Sequence, residues 1–370
     1  MNGYRIPHFG LDRQYASLKD ELLEATHDSL SSGQLVDGPH TDWFEKWLTL
    51  RTGCRYAVTV HSGTQALEII ARHESYRFYD MYRLKPSIVI PNISYPATLN
   101  AFLREGFDVT ICDTDKNGLL DLEKCFLKKD IIAVPCFVGL FGAPLKYAKY
   151  FENTNPRDEF IVDGAQHWLV SQEFETGIGM AISFDPTKNL PSSGNGGAIV
   201  TNDINLFEFA LDFRNNGKGS HDRVGTNSKM SEQDCAQILV RTKHIDKWQA
   251  RRKQIRNFYL DEFKDLPIRC LSDNMPRHAD QKFVISTPHR DELDECMAQY
   301  GIECRVHYSY TLSDLVIARN LIRPDFLSVS KMLVRSLISL PMYPELTDAE
   351  IETIADTVKK FFSTIKDSVL

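Results

Sequence analysis

The sequence predicts an α/β protein in which a large sheet is covered by helices on both faces and a smaller α/β domain follows towards the C-terminus. Three observations lead there. Between about residues 55 and 200, short β-branched runs bounded by Gly, Pro, Asn or Asp alternate with amphipathic stretches, the pattern of strands buried on both faces. The 370 residues exceed the common single-domain size, which leaves room for a second, minor core. Past Asn205 the alternation gives way to long helical spacing.

The elements follow in order from local patterns. Residues 15–30 carry apolar side chains at helical intervals and end at Ser31-Ser32-Gly33, and Gly38-Pro39 precedes a second helix through Trp43, Phe44, Trp47 and Leu48. These residues read as a helical arm, 1–50, leading into a large domain, 51–245. Within the large domain, strands are predicted over 56–61, 87–91, 108–112, 131–135, 160–163, 181–184 and 197–201, with helices over 64–73 and 147–153. Sequence order leaves the spatial order and directions of these strands open. A long helical stretch from Ser231 to Phe263, basic on its polar side, links to a small C-terminal domain, 246–370. There, strands are predicted over 281–286 and 303–306 and a final helix over 348–362.

Charge and composition narrow the function classes. The 43 basic and 50 acidic side chains leave a net charge of −7 with no run of Lys/Arg, which argues against a nucleic-acid partner. No apolar stretch approaches the roughly 20 residues of a membrane helix. The start, Met1 to His8, lacks the basic-then-apolar layout of a secretory signal, so a cytoplasmic location is expected. The eight cysteines are scattered without metal-ligand spacing, which reads as buried thiols in a reducing compartment and no metal site.

The chemistry concentrates in a few turns. Phe160-Ile161-Val162-Asp163 places a carboxylate at the end of an apolar strand, the edge where open α/β sheets place their ligands. Lys188 follows another strand, Ser183-Phe184, just before the turn Gly194-Asn195-Gly196-Gly197, and can reach the same crevice. An Asp facing a Lys across one pocket suits pyridoxal phosphate, whose aldehyde needs a lysine amine and whose ring nitrogen needs a carboxylate to stay protonated. In His61-Ser62-Gly63-Thr64-Gln65-Ala66-Leu67 a strand ends in a small-residue turn that opens a helix, so free amides and the Thr64 hydroxyl form a phosphate seat; an ordinary helix cap has the same appearance. Ser183 offers a further hydroxyl. Tyr95, held in Ser94-Tyr95-Pro96 at a strand end, is placed to stack on a flat ring, and Gln166 is a candidate partner for the cofactor's phenolic oxygen.

Together these residues resemble the DegT/DnrJ/EryC1/StrS family of nucleotide-sugar aminotransferases. The match runs from Ser32-Gly33-Gln34-Leu35-Val36-Asp37-Gly38-Pro39 and Phe44-Glu45 through Asp163-Gly164-Ala165-Gln166 and Lys188-Asn189-Leu190. It continues through Arg214-Asn215-Asn216-Gly217, Met230-Ser231-Glu232 and Ser339-Leu340-Pro341-Met342, nearly the whole chain. The resemblance implies the aspartate aminotransferase fold type, with a large mixed sheet as the cofactor-binding domain. It implies that Lys188 bonds pyridoxal 5'-phosphate, which cycles through pyridoxamine 5'-phosphate, and that Asp163 pairs with the ring nitrogen. Tyr95 would cover the ring, Gln166 would approach its phenolic oxygen, and Gly63, Thr64 and Ser183 would hold the phosphate. Asn227 would reach the phosphate of a partner subunit, making a homodimer with shared sites.

The reaction the resemblance implies is transfer of an amino group from an amino acid, L-glutamate, to the keto group of a nucleotide-linked deoxysugar. The loop Lys188-Asn189-Leu190-Pro191-Ser192-Ser193-Gly194-Asn195-Gly196-Gly197 leans to amination at C3 of a dTDP-3-keto-6-deoxyhexose. Amination at C4 is the alternative, and family members that act as dehydratases carry histidine in place of the lysine. A regulatory protein that keeps the fold without catalysis is the competing class, and it would lack the Lys or the Asp. His307-Tyr308 is a candidate sugar or diphosphate contact, with packing inside the small domain as the other reading. The chain departs from the family pattern at Gly139 and Phe141, where histidine and tyrosine are usual, at Ser228-Lys229, and at Asn195, which replaces an acid.

Overall fold

The structure, a computed structural model, describes residues 3–125, 133–145, 160–170, 176–321 and 327–368. Two helices come first, α1 (Leu11–Ser31) and α2 (Pro39–Thr52). They are followed by β1 (Tyr56–Val60), α3 (Gly63–Tyr82), β2 (Ser87–Pro91), α4 (Pro96–Arg104), β3 (Asp108–Cys112), β4 (Val134–Val138), β5 (Ile161–Asp163), β6 (Gly179–Ser183) and β7 (Gly197–Thr201). The seven strands form one sheet in the order β1-β7-β6-β5-β4-β2-β3. Strand β7 is antiparallel to both its neighbours, and every pairing from β6 across to β3 is parallel, so the sheet is mixed.

Alternation along the strands builds a core on each face of the sheet. Val89, Val162, Ile182 and Val200 point to one face, where Phe44 and Leu48 of α2 and Phe184 join them. Ile88, Ile90, Ile161 and Ile199 point to the other, against Leu67 and Ile70 of α3 and Phe102 of α4. Each such fully buried side chain contributes on the order of 1.5–3 kcal/mol.

The remaining elements are α5 (Ile204–Phe213), α6 (Glu232–Thr242), α7 (Ile245–Phe263), β8 (Arg269–Cys270), β9 (Phe283–Ser286), α8 (Arg290–Gln299), α9 (Ser328–Ser336), β10 (Leu337–Leu340) and α10 (Asp348–Ser368). Strands β10, β9 and β8 make a separate antiparallel sheet. Its core holds Tyr259 and Phe263 of α7, Met297 of α8 and Val358 of α10, and also Ile6 from the start of the chain.

Two carboxylates fasten the arm. Glu232, fully buried at the start of α6, accepts hydrogen bonds from the backbone N–H groups of Gly38, His40 and Thr41 at 2.9, 2.8 and 2.9 Å, and from the Thr41 hydroxyl. Glu45 of α2 accepts from Arg214 at 2.6 Å and from the backbone and hydroxyl of Thr59, each at 2.8 Å. The motif residues Gly38, Glu45, Arg214 and Glu232 thus form a clasp.

Several elements differ from the sequence-based expectation. Strand β4, described over Val134–Val138, ends three residues later than expected, because the apolar run continues through Phe137-Val138, which pair with Val162 and Asp163 of β5; residues 131 and 132 of the expected strand lie outside the described residues. Helix α3 continues past residue 73, where buried Glu74, paired with the half-buried His73 and Arg77, carries a polar side chain inward. The stretch from Ser231 is two helices with a break at Lys243-His244, which no Gly or Pro marks. Residues 303–306 form no strand: Arg305 exchanges one reciprocal pair of backbone bonds with Ser339, and β10 supplies the neighbour of β9 instead. The helix expected over 147–153 lies outside the described residues. The reading of all eight cysteines as free thiols is corrected as well, since Cys112 and Cys125 are joined in a disulfide with their Cα atoms 5.5 Å apart. The turn after β3 folds back through a short 3-10 segment, Leu122–Lys124, and brings Cys125 to the strand's end.

Candidate active site

A cavity of about 550 Å³ opens at the carboxyl ends of β1, β5 and β6, where the turns Ser62-Gly63-Thr64, Asp163 to Gln166 and Ser183 to Lys188 converge. Tyr95, Asn195, His307 and Tyr308 line it too. Of the residues singled out in the sequence, Gly63, Thr64, Tyr95, Asp163, Gln166, Ser183, Lys188, His307 and Tyr308 share this one cavity. Asn227 does not line it; its backbone bridges to Asn215.

Asp163 ends β5 and is buried. Its Oδ2 accepts from the Thr98 hydroxyl at 2.7 Å and its Oδ1 from the Ala165 N–H at 3.2 Å. The Ser94 hydroxyl lies 2.6 Å from that of Thr98 and extends the chain. Burial raises the Asp163 pKa, while Thr98, Ala165 and the charge of Lys188 pull it back towards the ionised form. Lys188 has the converse balance: burial lowers its pKa, and Asp163 and Asp185 oppose. Among the described residues its ammonium makes no ion pair, and the loop beneath it is held by other atoms. The Lys188 N–H donates to the Asp185 carbonyl at 2.9 Å, and Gln281 bridges the Asn189 N–H, at 3.0 Å, to the Thr187 carbonyl, at 2.8 Å.

The phosphate-seat reading meets a physical test at Gly63, the first residue of the 20-residue helix α3. A Cβ there would lie 2.7 Å from the Cβ of Ser183, so the absence of a side chain lets the helix start approach the β6 end closely. Ser62 caps α3 by accepting from the Gln65 N–H at 3.1 Å. The amides of Gly63 and Thr64 have no partner inside the first turn of a helix and carry its positive end. A buried carboxylate, a lysine without an ion pair and an amide cradle fit the ring nitrogen, aldehyde and phosphate of pyridoxal phosphate.

Gln166 is fixed at both ends: its Oε1 accepts from the Phe141 N–H at 2.6 Å and its Nε2 donates to the Tyr308 hydroxyl at 3.3 Å. Tyr95 is 60% exposed and caps α4 without a side-chain bond; its ring stands at the cavity wall, tilted against that of Tyr308 with the centroids 6.4 Å apart. His307 and Tyr308 line the cavity and also pack on the small sheet: Tyr308 lies against the cluster that holds Val284 and Leu337, and His307 Nδ1 lies 2.9 Å from the hydroxyl of Ser339 in β10. Burial first, then Lys282, pushes the His307 pKa down to about 2. At Gly139, where the family's usual residue is histidine, a side chain would collide with the ring of His167, which fills that space from the β5 side.

Sequence reading missed Thr98 and Ser94, although both stand in the run around Tyr95; hydroxyls one helical turn apart at the start of α4 are the available signal. It also missed Phe9, Lys282 and Arg305, which line the cavity from the N-terminal segment and from the neighbourhood of the small sheet.

The family model described as the DegT/DnrJ/EryC1/StrS aminotransferase family matches residues 16–125 and 175–359. The chain is similar to the erythromycin biosynthesis sensory transduction protein EryC1 of Saccharopolyspora erythraea, at 28% identity over 96% of this chain and 99% of that protein. It is equally similar, at 28% identity over 96% of each chain, to dTDP-3-amino-3,4,6-trideoxy-α-D-glucose transaminase of Streptomyces venezuelae. Among solved structures, S. venezuelae DesV in complex with a ketimine intermediate superposes with a TM-score of 0.87 at 26% identity, covering 97% of this chain and 98% of that one.

Proposed function

The chain belongs to the DegT/DnrJ/EryC1/StrS aminotransferase family and is a pyridoxal phosphate-dependent aminotransferase, and from that premise we propose that it moves an amino group from L-glutamate to C3 of a dTDP-linked 3-keto-6-deoxyhexose. The observation that carries the reading is the meeting of Lys188, without an ion pair, with Asp163 in a cavity whose floor is the start of α3. The C3 choice rests on the loop from Lys188 to Gly197 and on similarity to a relative named for a 3-amino sugar.

The bound cofactor supplies the carbonyl that accepts the amino group and the ring that takes up the electron pair left on the donor carbon. The chain's own residues divide the remaining work. Asp163, whose ionised form Thr98 and Ala165 favour against the larger opposing effect of burial, would offer a carboxylate oxygen to the ring N–H. The Gly63 and Thr64 amides and the Ser183 hydroxyl would hold the phosphate, Tyr95 would cover the ring, and Gln166 would present its amide to the phenolic oxygen. Lys188 Nζ, its pKa lowered by burial, would take the proton from the donor Cα and hold it within the cavity for return. The same lysine runs the sequence in reverse on the keto sugar.

We further propose a homodimer in which Asn227 serves the partner's phosphate seat; a verified heterodimer of Lys188→Ala and Asn227→Asp chains then regains one working site. The function itself is tested by incubating the protein with cofactor, glutamate and a panel of nucleotide-linked 3-keto and 4-keto 6-deoxysugars, with the new nitrogen located by NMR. Amination at C3 supports the reading, amination at C4 moves it to the other ring position, and turnover of small keto acids alone places the enzyme outside sugar metabolism.

A further inference from the structure

The cavity contains a second buried lysine for which the reaction above has no use. Lys282, one residue before β9, lines it with only 7% of its surface exposed and makes no ion pair among the described residues. Its ammonium stands 5.1 Å from the centre of the Phe9 ring. The charges that act on it are mostly of its own sign: Lys188, Arg252 and Arg305, with Asp185 opposing. Arg252 is already spent on the Met342 carbonyl, at 2.7 Å, and the Asp280 carbonyl, whereas Arg305 lines the cavity with one nitrogen on Glu303. His8 and His307 also face this group, and burial keeps both neutral. A buried cation with no counter-ion costs stability, and an anion brought by a ligand offsets that cost.

We propose that Lys282, with Arg305 towards the opening, is a carboxylate subsite that seats a carboxyl group carried by one of the two substrates. The proposal rests on the aminotransferase reading, because that reading puts the reacting carbon at Lys188. The anion wanted is therefore compact and attached close to that carbon. A carboxylate meets both conditions: the α-carboxylate of the amino donor, or, where the sugar is a hexuronate in place of the 6-deoxyhexose proposed above, its oxidised C6. A nucleotide diphosphate is bulkier, is tied to a base and a second sugar, and suits an open wall better than a nearly closed one.

Burial, with Lys188 and Arg252 adding to it, pushes Lys282 down to about 7. The site is thus an anion receptor that gains a proton on binding: affinity rises as pH falls towards about 7 and levels off below it, and near pH 8 carboxylate binding takes up a proton. His307, at about 2, does not titrate in this window.

The test is calorimetry on the holoenzyme and on its Lys282→Met and Lys282→Arg variants. The ligands are glutarate, a dicarboxylate without a reacting amine, and the glucose and glucuronate conjugates of UDP and dTDP. Lys282→Met should weaken carboxylate binding at least about tenfold at pH 6.5, abolish the proton uptake, and keep or raise Tm, since it removes an uncompensated charge; Lys282→Arg should restore most of the affinity. Loss confined to glutarate assigns the group to the amino donor, and loss of the preference for glucuronate over glucose assigns it to the sugar. Equal weakening of all the conjugates with glutarate unchanged gives the lysine to the diphosphate and overturns the proposal, as does a parent protein that binds none of these carboxylates or a variant that binds them unchanged. Failure of the aminotransferase reading is seen separately, as a parent protein without cofactor fixed to Lys188 on borohydride reduction; Lys282→Met should keep that label.

Discussion

The clasp and the cavity both bury charge, and they treat it in opposite ways. In the clasp, Glu232 meets three backbone N–H groups and a hydroxyl, and Glu45 meets Arg214 and Thr59. In the cavity, Lys188 and Lys282 have no ion pair among the described residues, and Asp163 is held by one hydroxyl and one N–H while its pKa is still raised. Both regions carry motif residues, so recurrence of a motif does not separate structural from chemical residues. Satisfaction does: a saturated carboxylate fixes architecture, and an unsatisfied charge facing a cavity is available to a ligand.

Substitutions sharpen the contrast, because cavity variants should lose rate and keep stability while clasp variants do the reverse. The largest effect falls on Lys188→Ala, for which turnover should drop by about ten-thousandfold or more, about 5.5 kcal/mol in the barrier, with Tm unchanged or higher. Steady-state rates and a thermal melt on one preparation check both halves. Asp163→Ala should lower kcat by about a thousandfold, about 4 kcal/mol, in protein that still carries cofactor; near-normal turnover would give the ring nitrogen to another acid.

Glu232→Ala is the clasp counterpart. It strands three backbone N–H groups, two of them buried, and a hydroxyl, and should cost about 3 kcal/mol of unfolding free energy, read from denaturant melts, with kcat per folded active site little changed. Burial acts against the Glu232 carboxylate, but the bonds from Thr41, His40 and Gly38 together outweigh it and hold its pKa below the usual glutamate value. Its stabilisation is therefore present above that usual value and is lost as pH falls through the lower, folded one. Glu232→Ala should flatten that acid limb.

The smallest effect is at Thr98. Removing the donor with Thr98→Val raises the Asp163 pKa further, so the acid limb of the kcat profile should move to higher pH, with a loss of about tenfold, about 1.4 kcal/mol, at neutral pH. An unmoved limb would detach Thr98 from the ring-nitrogen carboxylate.

The parts of the molecule legible in the sequence are those where local pattern and tertiary need agree. Strands β2, β3 and β7 begin and end where their apolar runs do, and Asp163 and Lys188 stand out because each follows such a run. Elements that depend on distant partners were harder to read. Residues 303–306 alternate like a strand, yet Glu303 is spent on the His8 N–H at 3.0 Å and on Arg305, and only one bonded pair to Ser339 forms. Cys112 and Cys125 meet through a turn whose closure no spacing rule announces. Lys282 reads as an ordinary polar residue before Phe283-Val284-Ile285, and only the folded chain carries it to the wall beside Lys188.

The central claim, that Lys188 bonds the cofactor opposite Asp163, is tested most directly by reducing the cofactor-loaded protein with borohydride, digesting it and mapping the pyridoxyl group by mass spectrometry. The label should fall on Lys188 alone and be absent from Lys188→Ala, while Lys282→Met is labelled as the parent is. A pyridoxyl group on Lys282 or any other lysine, or no label in protein that retains its fold, would contradict the account.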